Sequence, residues 1–528
     1  MALALVASGR LAVAAESDPP KKATRYEADD RAAAELFSGP VRRFVIQFAA
    51  TNLQALRNEP RVSVPATVII DGTNRFENVA IHVKGSAGST RSIDDNPAMT
   101  LNFDKLVPGR KFSGMDKIHL NNSVQDPSLM AEQLAARLYR ELGIPTARAS
   151  QAIVTLEGRE LGLYVLKEGY NRTFLRRNFP DPSGNLYDGG FVRDIDQDLE
   201  RDAGDGPEDR KDLQKLRDAT AIGDLTKRQA AFSAIVDVDR FITECAMQSI
   251  LCDWDGYGYN RNNYRLYHQP KTGKFVFIPH GMDQLLGDIG RGVETPGGGM
   301  LARQLYEIAD YRDRFYSEVE RLIASVFVPN ILTNHFKESE TRLLAAIETL
   351  PKDERGWRIN AMRGFQSQAF GRIDVVKRHL ATRPKPIRFD ANGVTALAHW
   401  QPRYQRGQAR IEAVKLDEVD TLHITAQARE TVSSFRATIR LPIGKYVVNG
   451  RIKTRGVVAA DDQRYAGGAG MRLSGGEHAV RFTGDNDWKD FTYEFQVHDP
   501  HNVELVAELR AHQGDVWFDL NSLKLQKR

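Results

Sequence analysis

The densest run of reactive and loop-forming side chains is Cys252-Asp253-Trp254-Asp255-Gly256-Tyr257-Gly258-Tyr259-Asn260-Arg261-Asn262-Asn263-Tyr264-Arg265-Leu266-Tyr267. A helix leads into it: Phe241, Cys245, Gln248 and Cys252 recur at helical spacing, with Ile242, Ile250 and Leu251 on the apolar side. A strand at residues 264–268 leads out, and a second strand at 275–278 runs into Pro279-His280-Gly281-Met282-Asp283-Gln284. Two acidic sites therefore fall at corresponding ends of one hairpin. Phosphoryl transfer needs such a pair: one carboxylate orients the attacking hydroxyl, while another carboxylate and an amide oxygen hold Mg2+ on the phosphates. Asp255 and Asn260 stand in D-x4-N spacing, and Asp283 is placed for the metal. Asp and Asn are also ordinary loop formers, so the spacing alone leaves a plain loop as the alternative.

The elements that would position these groups can be read on either side. Between residues 64 and 168 the chain alternates like a sheet. Thr67-Val68-Ile69-Ile70 and Asn78-Val79-Ala80-Ile81-His82-Val83 flank an Asp71-Gly72 turn and predict a hairpin. Short strands follow at 99–103 and 117–120. Asp126-Pro127 predicts a helix start, with Leu129, Leu134, Leu138 and Leu142 on its apolar face and Gly143 closing it. Two strands complete this part, at 149–156 and 161–166. The charge-dense stretch 194–218 reads as an exposed loop. Its Asp194-x-Asp196-x-Asp198 spacing lacks the Gly and Glu of a calcium loop, so a solvated acidic face is expected. Helices occupy 301–380, and Arg383-Pro384-Lys385-Pro386 reads as a linker. Beyond it the period changes to two, with short strands separated by Gly and Asp, which predicts a β-sandwich.

Composition narrows the function classes. A chain of 528 residues, 41% hydrophobic and 27% charged, has room for about three domains at roughly 150 residues each. Seventy-three basic against 69 acidic side chains leave +4, too balanced for a dedicated nucleic-acid binder. Cys245 and Cys252 lie about 10.5 Å apart on a helix, beyond the roughly 7 Å reach of a disulfide, and read as inert thiols. Residues 1–22 read as a signal peptide and linker, with Ala12-Val13-Ala14 before the cleavage point and no charged n-region. Export to the envelope or medium is therefore expected, with a cytoplasmic location as the alternative. No later stretch reaches the roughly 18 to 20 apolar residues of a membrane span. A Walker A loop and a Gly-x-Ser-x-Gly elbow are both absent.

In order along the chain, several segments resemble the CotH kinase family, the spore-coat-protein-H-like atypical protein kinases. They are Val79-Ala80-Ile81-His82-Val83-Lys84-Gly85-Ser86, Leu101-Asn102-Phe103-Asp104-Lys105, and Phe112-Ser113-Gly114-Met115-Asp116-Lys117-Ile118-His119-Leu120-Asn121. Gly143-Ile144-Pro145, Gly162-Leu163-Tyr164-Val165-Leu166-Lys167-Glu168, Asn262-Asn263-Tyr264-Arg265-Leu266-Tyr267 and Phe277-Ile278-Pro279-x-x-x-Asp283 complete the set. The resemblance implies an α+β, two-lobed, atypical protein-kinase-like domain at 40–382, its N-lobe at about 40–168 and its C-lobe at about 169–382. It also implies transfer of the γ-phosphate of ATP, with Mg2+ or Mn2+, to Ser or Thr of a secreted, envelope or coat protein. Asp255 matches the catalytic-loop carboxylate and Asp283 the metal-binding one. Asn263 matches the family amide, whereas kinase spacing alone would choose Asn260.

Lys84, before the Gly85-Ser86-Ala87-Gly88-Ser89 loop, is the first candidate for the ATP lysine, with Lys105 and Lys117 as alternatives. That loop offers backbone N–H groups to phosphates. Glu132 is the candidate lysine partner, against a plain exposed helix Glu. Glu168 is either a nucleotide contact or a strand-end cap. His280 is expected to bond a backbone group rather than act as a base. Residues 388–528 resemble the galactose-binding-like jelly rolls of carbohydrate-binding modules, through Gly444-Lys445-Tyr446, Gly468-Ala469-Gly470-Met471-Arg472-Leu473, Asp487-Trp488 and Trp517-Phe518-Asp519. Trp488 or Trp517 would stack on a sugar, against the alternative that both are core residues. A catalytically silent scaffold or adhesin, or a glycan-binding protein acting through the sandwich, is the rival to the kinase.

Overall fold

The computed structural model describes residues 25–383, 387, 389–461, 467–476, 481–497 and 501–528. The signal-peptide reading and the prolines of the linker lie outside them. The chain divides into two compact units, one reaching Leu380 and the other beginning at Ala381. Among the described residues no helix is long and apolar enough to cross a membrane.

The first unit begins with α1 (Arg25–Ser38), β1 (Arg42–Phe48), α2 (Ala50–Asn58), β2 (Val64–Ile70), β3 (Asn74–Lys84), β4 (Ala98–Asn102) and β5 (Lys117–Asn121). Helix α3 (Ala131–Glu141) precedes β6 (Ala149–Leu156) and β7 (Arg159–Glu168). The seven strands close into a barrel of order β1-β2-β3-β4-β5-β7-β6, sealed where β1 runs parallel to β6. Closure removes exposed sheet edges. The Asp71-Gly72 turn forms as expected, with both residues at positive φ in a three-residue connection between Ile70 and Asn74. Alternation on β7 serves two cores. Tyr164 and Leu166 enter the barrel beside Phe44, Ile81 and Leu120, while Leu163 and Val165 pack outside it with Leu134 and Leu138 of α3.

Helix α3 starts at Ala131, later than Asp126-Pro127 suggested. Leu129 has φ +59°, a left-handed conformation that interrupts any helix begun upstream. Asp126 still caps, but across a loop: its carboxylate accepts from the backbone N–H of Ser128 and of Ala131, each at 3.0 Å. Gly143, at φ +72°, ends the helix as expected.

The unit continues with α4 (Arg172–Asn178), β8 (Leu186–Asp188), β9 (Glu200–Ala203), α5 (Lys211–Thr220), α6 (Leu225–Ile235) and α7 (Val238–Ile250). Next come α8 (Tyr257–Asn260), β10 (Tyr264–His268), β11 (Phe275–Pro279), α9 (Met300–Tyr306), α10 (Ala309–Ser325), α11 (Pro329–Ile347) and α12 (Lys352–Thr382). The stretch expected as one exposed loop thus holds β9 and most of α5. Asp194 is not solvated: it is 4% exposed, accepts from Tyr257 Oη at 3.0 Å, and caps α9 through the Met300 N–H at 2.7 Å. A carboxylate at a helix N-terminus satisfies an otherwise orphaned donor, which is why this one is inside. Cys245 and Cys252 are both free and buried, as expected.

In the second unit, strands curl round one apolar core that includes Ile424, Phe435, Tyr446, Ile452, Leu505 and Phe518. The long strand His501–Asp519 pairs first with Thr431–Leu441 and Gly468–Leu473, then with Val419–Ala426 and Gly444–Ala459. Trp488 is outside that core, and Trp517, though buried at 5% exposure, packs outside the same cluster. Val516 and Phe518 point inward, so period two turns Trp517 to the opposite face. There it is covered by His423, stacked at 4.5 Å, and by the guanidinium of Arg455. Trp488 is half-buried beneath Arg451.

Candidate active site

Glu132, on the first turn of α3, is the centre of the charge network rather than an exposed helix Glu. It is 1% exposed and forms an ion pair with Lys167 near the end of β7. Asn121, ending β5, donates to Glu132 Oε2 at 3.3 Å and accepts from Lys84 Nζ at 2.8 Å. One buried carboxylate therefore gathers Lys167 directly and Lys84 through an amide. Burial works against the Lys167 charge, but Glu132 outweighs it and the ammonium is held above its ordinary value. Lys84 lacks a direct carboxylate; burial and the neighbouring Lys167 push it down to about 8. Tyr170 lies beneath both Lys167 and the guanidinium of Arg265, the latter 4.3 Å from its ring centre.

The second half of the site lies at the hairpin. Pairing of Tyr264 with Pro279 brings Asn263 and His280 together at one end, where the His280 N–H donates to Asn263 O. Asp255 collects three asparagines: Asn260 Nδ2 donates to Oδ1 at 2.7 Å, and Asn262 and Asn263 Nδ2 donate to Oδ2 at 3.0 and 2.9 Å. Gly281 is required beside them, since its φ is +60° and an added Cβ would sit 2.4 Å from Asn263 Oδ1. Asp253 is pushed up to about 7 by burial, then by Asp255 and Asp283. Asp283 is likewise pushed up to about 7, by burial and then by Glu132. Among the described residues no group of three or more His, Cys, Asp and Glu is arranged to hold a metal ion. A divalent ion here would need amide and phosphate oxygens as well as carboxylates.

The sequence-predicted residues sort as follows. Lys84, Glu132, Asp255, Asn260, Asn263 and Asp283 are drawn into these two linked clusters. Glu168 is not: it is 3% exposed, paired with Arg177 and bonded by the Arg148 N–H at 3.1 Å, which makes it a strand-end cap. Lys105 turns to the surface and donates to Ser63 Oγ at 2.9 Å. Lys117 lies among Asp202, Arg265 and Asp116. The loop after Lys84 offers less to phosphates than expected, because the N–H groups of Ser86, Ser89 and Thr90 bond within the loop. His280 is bonded to the Tyr264 backbone, as expected, and kept neutral by burial. Asp253 is the sequence's fallback for the catalytic carboxylate should Asp255 prove a metal ligand, whereas Lys167 and Asn121 were not singled out by sequence reasoning. Lys167 had a signal: it continues the Leu163-Val165 face, and a lysine in register with two core residues is poised for a buried partner.

Residues 81–385, more than half of the chain, match the CotH kinase protein family. The chain belongs to that family. Among CotH relatives, the inner spore coat protein H of Bacillus subtilis (strain 168) is 26% identical over 244 residues, covering 41% of this chain and 65% of that protein. Invasin CotH3 of Rhizopus delemar is 22% identical over 307 residues, covering 54% of this chain and 48% of that protein. The chain thus spans less than two thirds of the length of either CotH relative. Solved structures that overlap a quarter of the chain include TmCBM61 in complex with β-1,4-galactotriose, at 14% identity, TM-score 0.18 and coverage of 25% of this chain and 91% of that one. Another is a family 35 carbohydrate binding module from Clostridium thermocellum, at 13% identity, TM-score 0.15 and coverage of 24% and 97%. TM-scores this low do not bear on fold or ligand.

Proposed function

We propose that this CotH family member is an ATP-dependent protein kinase that phosphorylates Ser or Thr of an extracytoplasmic protein, through a kinase-like domain at 40–382. The observation that carries the reading is the junction at Asp283. Lys167 and Lys84, gathered by Glu132, lie within its electrostatic reach, and so does Asp253, which also feels Asp255. The donor set fits ATP with Mg2+ or Mn2+. Asp253, raised to about 7 by burial and then by Asp255 and Asp283, and Asp283, raised to about 7 by burial and then by Glu132, mark a concentration of negative charge that a dication relieves. Asp283 and the amide oxygens of Asn263 and Asn260 would hold the metal, and Lys167 and Lys84 the phosphates. When bound, the metal neutralises charge that builds on the transferred group.

The chain's own residues do the rest. Glu132 fixes the Lys167 ammonium against loss of its proton and against drift. Asp255, locked by three amide donors, keeps one oxygen with only a single partner, and that oxygen orients the acceptor hydroxyl and receives its proton. Preorganised charges of this kind need no rearrangement during transfer.

Kinship to a protein named an invasin favours a second reading, a binding protein without catalysis. The names of both relatives, coat protein and invasin, support a location outside the cytoplasm. The unit at 388–528 would then serve attachment, with Trp488 beside Arg451 as the sugar-stacking face. Calorimetry of ATP with Mg2+ separates the two readings. Binding that requires the metal and disappears in Asp283→Ala supports the kinase, and no nucleotide binding in the wild type sinks it.

A further inference from the structure

Asp283 also faces a cavity that the nucleotide reading does not use. A pocket of about 430 Å³ opens between the start of α3, the segment around Trp254 and the inner side of α12. Trp254 separates the two loop carboxylates Asp253 and Asp255 in sequence, yet it is 45% exposed while they are buried. An aromatic surface that large, left open at a site and flanked by catalytic acids, is a contact for something that approaches them. Phe365 and Leu285 extend its apolar wall, and Gln125, Gln284 and Gln368 supply amides.

Charge decides what can enter. The cations of the site, Lys84 and Lys167, belong to the Glu132 network. Among the described residues lining the pocket, none is basic. A triphosphate therefore has its counter-charges on the Glu132 side of Asp283 and none in the pocket. The pocket's other acid, Asp126, is already committed, its oxygens accepting from Ser128 and Ala131. Those three donors offset its charge, which leaves it a weak attractor for a lysine or arginine of a ligand. Glutamine amides pair with the donors and acceptors of an extended peptide backbone, and the aromatic wall takes an apolar side chain.

We propose that this pocket docks the phosphoacceptor: an uncharged peptide stretch whose Ser or Thr is flanked by an apolar side chain packed on Trp254 and Phe365. The inference rests on the phosphoryl-transfer reading and deepens it, placing nucleotide and acceptor on opposite sides of Asp283.

The test uses the full chain and fluorescently labelled Ser-containing peptides flanked by Leu, by Lys or by Asp, with binding followed by anisotropy in the absence of nucleotide. The Leu-flanked peptide binds best, and Trp254→Ala weakens it by about tenfold or more. Gln368→Glu, which places a charge on the α12 wall, shifts preference toward the Lys-flanked peptide. ATP does not displace the peptide. Three results overturn the proposal: Lys-flanked and Leu-flanked peptides binding equally to the wild type, affinity indifferent to Trp254→Ala, or competitive displacement by ATP, which would make the pocket the nucleobase site. A peptide that binds with this dependence but receives no label from ATP would overturn the transfer reading and leave the docking site standing.

Discussion

Removing the Glu132 carboxylate should have a large effect on both stability and turnover. In Glu132→Ala, Lys167, 3% exposed, loses its ion-pair partner, and Asn121 loses the acceptor that orients it toward Lys84. Breaking one side of a buried ion pair costs about 3 to 5 kcal/mol, because the remaining charge stays out of water. On a unit of this size that is a fall of roughly 4 to 7 °C in melting temperature. Replacing both partners, Glu132→Met with Lys167→Met, leaves no unpaired charge, so stability should return to within about 1 kcal/mol of wild type. Phosphate transfer should not return. Urea unfolding of Glu132→Met, Lys167→Met and the double variant yields the coupling energy, and label transfer from ATP is read on the same preparations. A loss of less than about 1 kcal/mol in Glu132→Ala would place the pair in an exposed setting and refute the burial reasoning. Full activity in the double variant would reduce the pair to a structural contact.

Asp255→Asn should lower kcat on the order of 100-fold while changing ATP affinity far less, since orientation of the acceptor acts in the transition state. If that loss appears instead in Asp253→Asn, the acceptor-facing role belongs to Asp253. His82, held down to about 4 by burial and then by Lys105 and other nearby cations, gains a proton on unfolding between that value and its ordinary 6.5. Its contribution is complete above about 6.5 and is lost as the pH falls toward 4, on the order of 1 to 2 kcal/mol after solvent screening. His82→Gln should flatten acid unfolding curves in that window, and an unchanged slope would show that His82 titrates normally. Residues 388–528 expressed alone should fold cooperatively around their own core, whereas an insoluble fragment would mean that the core is shared.

The parts of this fold that were legible in the sequence are those where local chemistry sets local geometry. Asp71-Gly72 can take the positive φ that a tight hairpin turn demands, and Gly143 can terminate a helix for the same reason. Asp255, in the loop before β10, and Asp283, in the loop after β11, were visible because hairpin register places both loops at one end, whereas the bonding of three asparagines to Asp255 was not. What stayed hidden depends on contacts across long sequence distances. Lys167 finds Glu132 only once β7 and α3 are packed, and no spacing rule links them. Asp194 looked like part of a solvated acidic run, but Tyr257 and the N-terminus of α9 draw it inside. Leu129 in a left-handed conformation is a choice no propensity would make; the loop capped by Asp126 imposes it. Trp517 is buried, as a core residue would be, but the two-residue period of its strand sets it on the face opposite Val516 and Phe518, under His423 and Arg455.

The central claim is that the Asp283 junction transfers phosphate. Its most direct measurement is incubation of the purified full chain with γ-labelled ATP, Mg2+ and Ser- or Thr-containing protein, with wild type and Asp283→Ala side by side. The account predicts metal-dependent label on acceptor hydroxyls in the wild type and background label in the variant. Equal label in both, or none in the wild type under conditions where ATP is shown to bind, would contradict it.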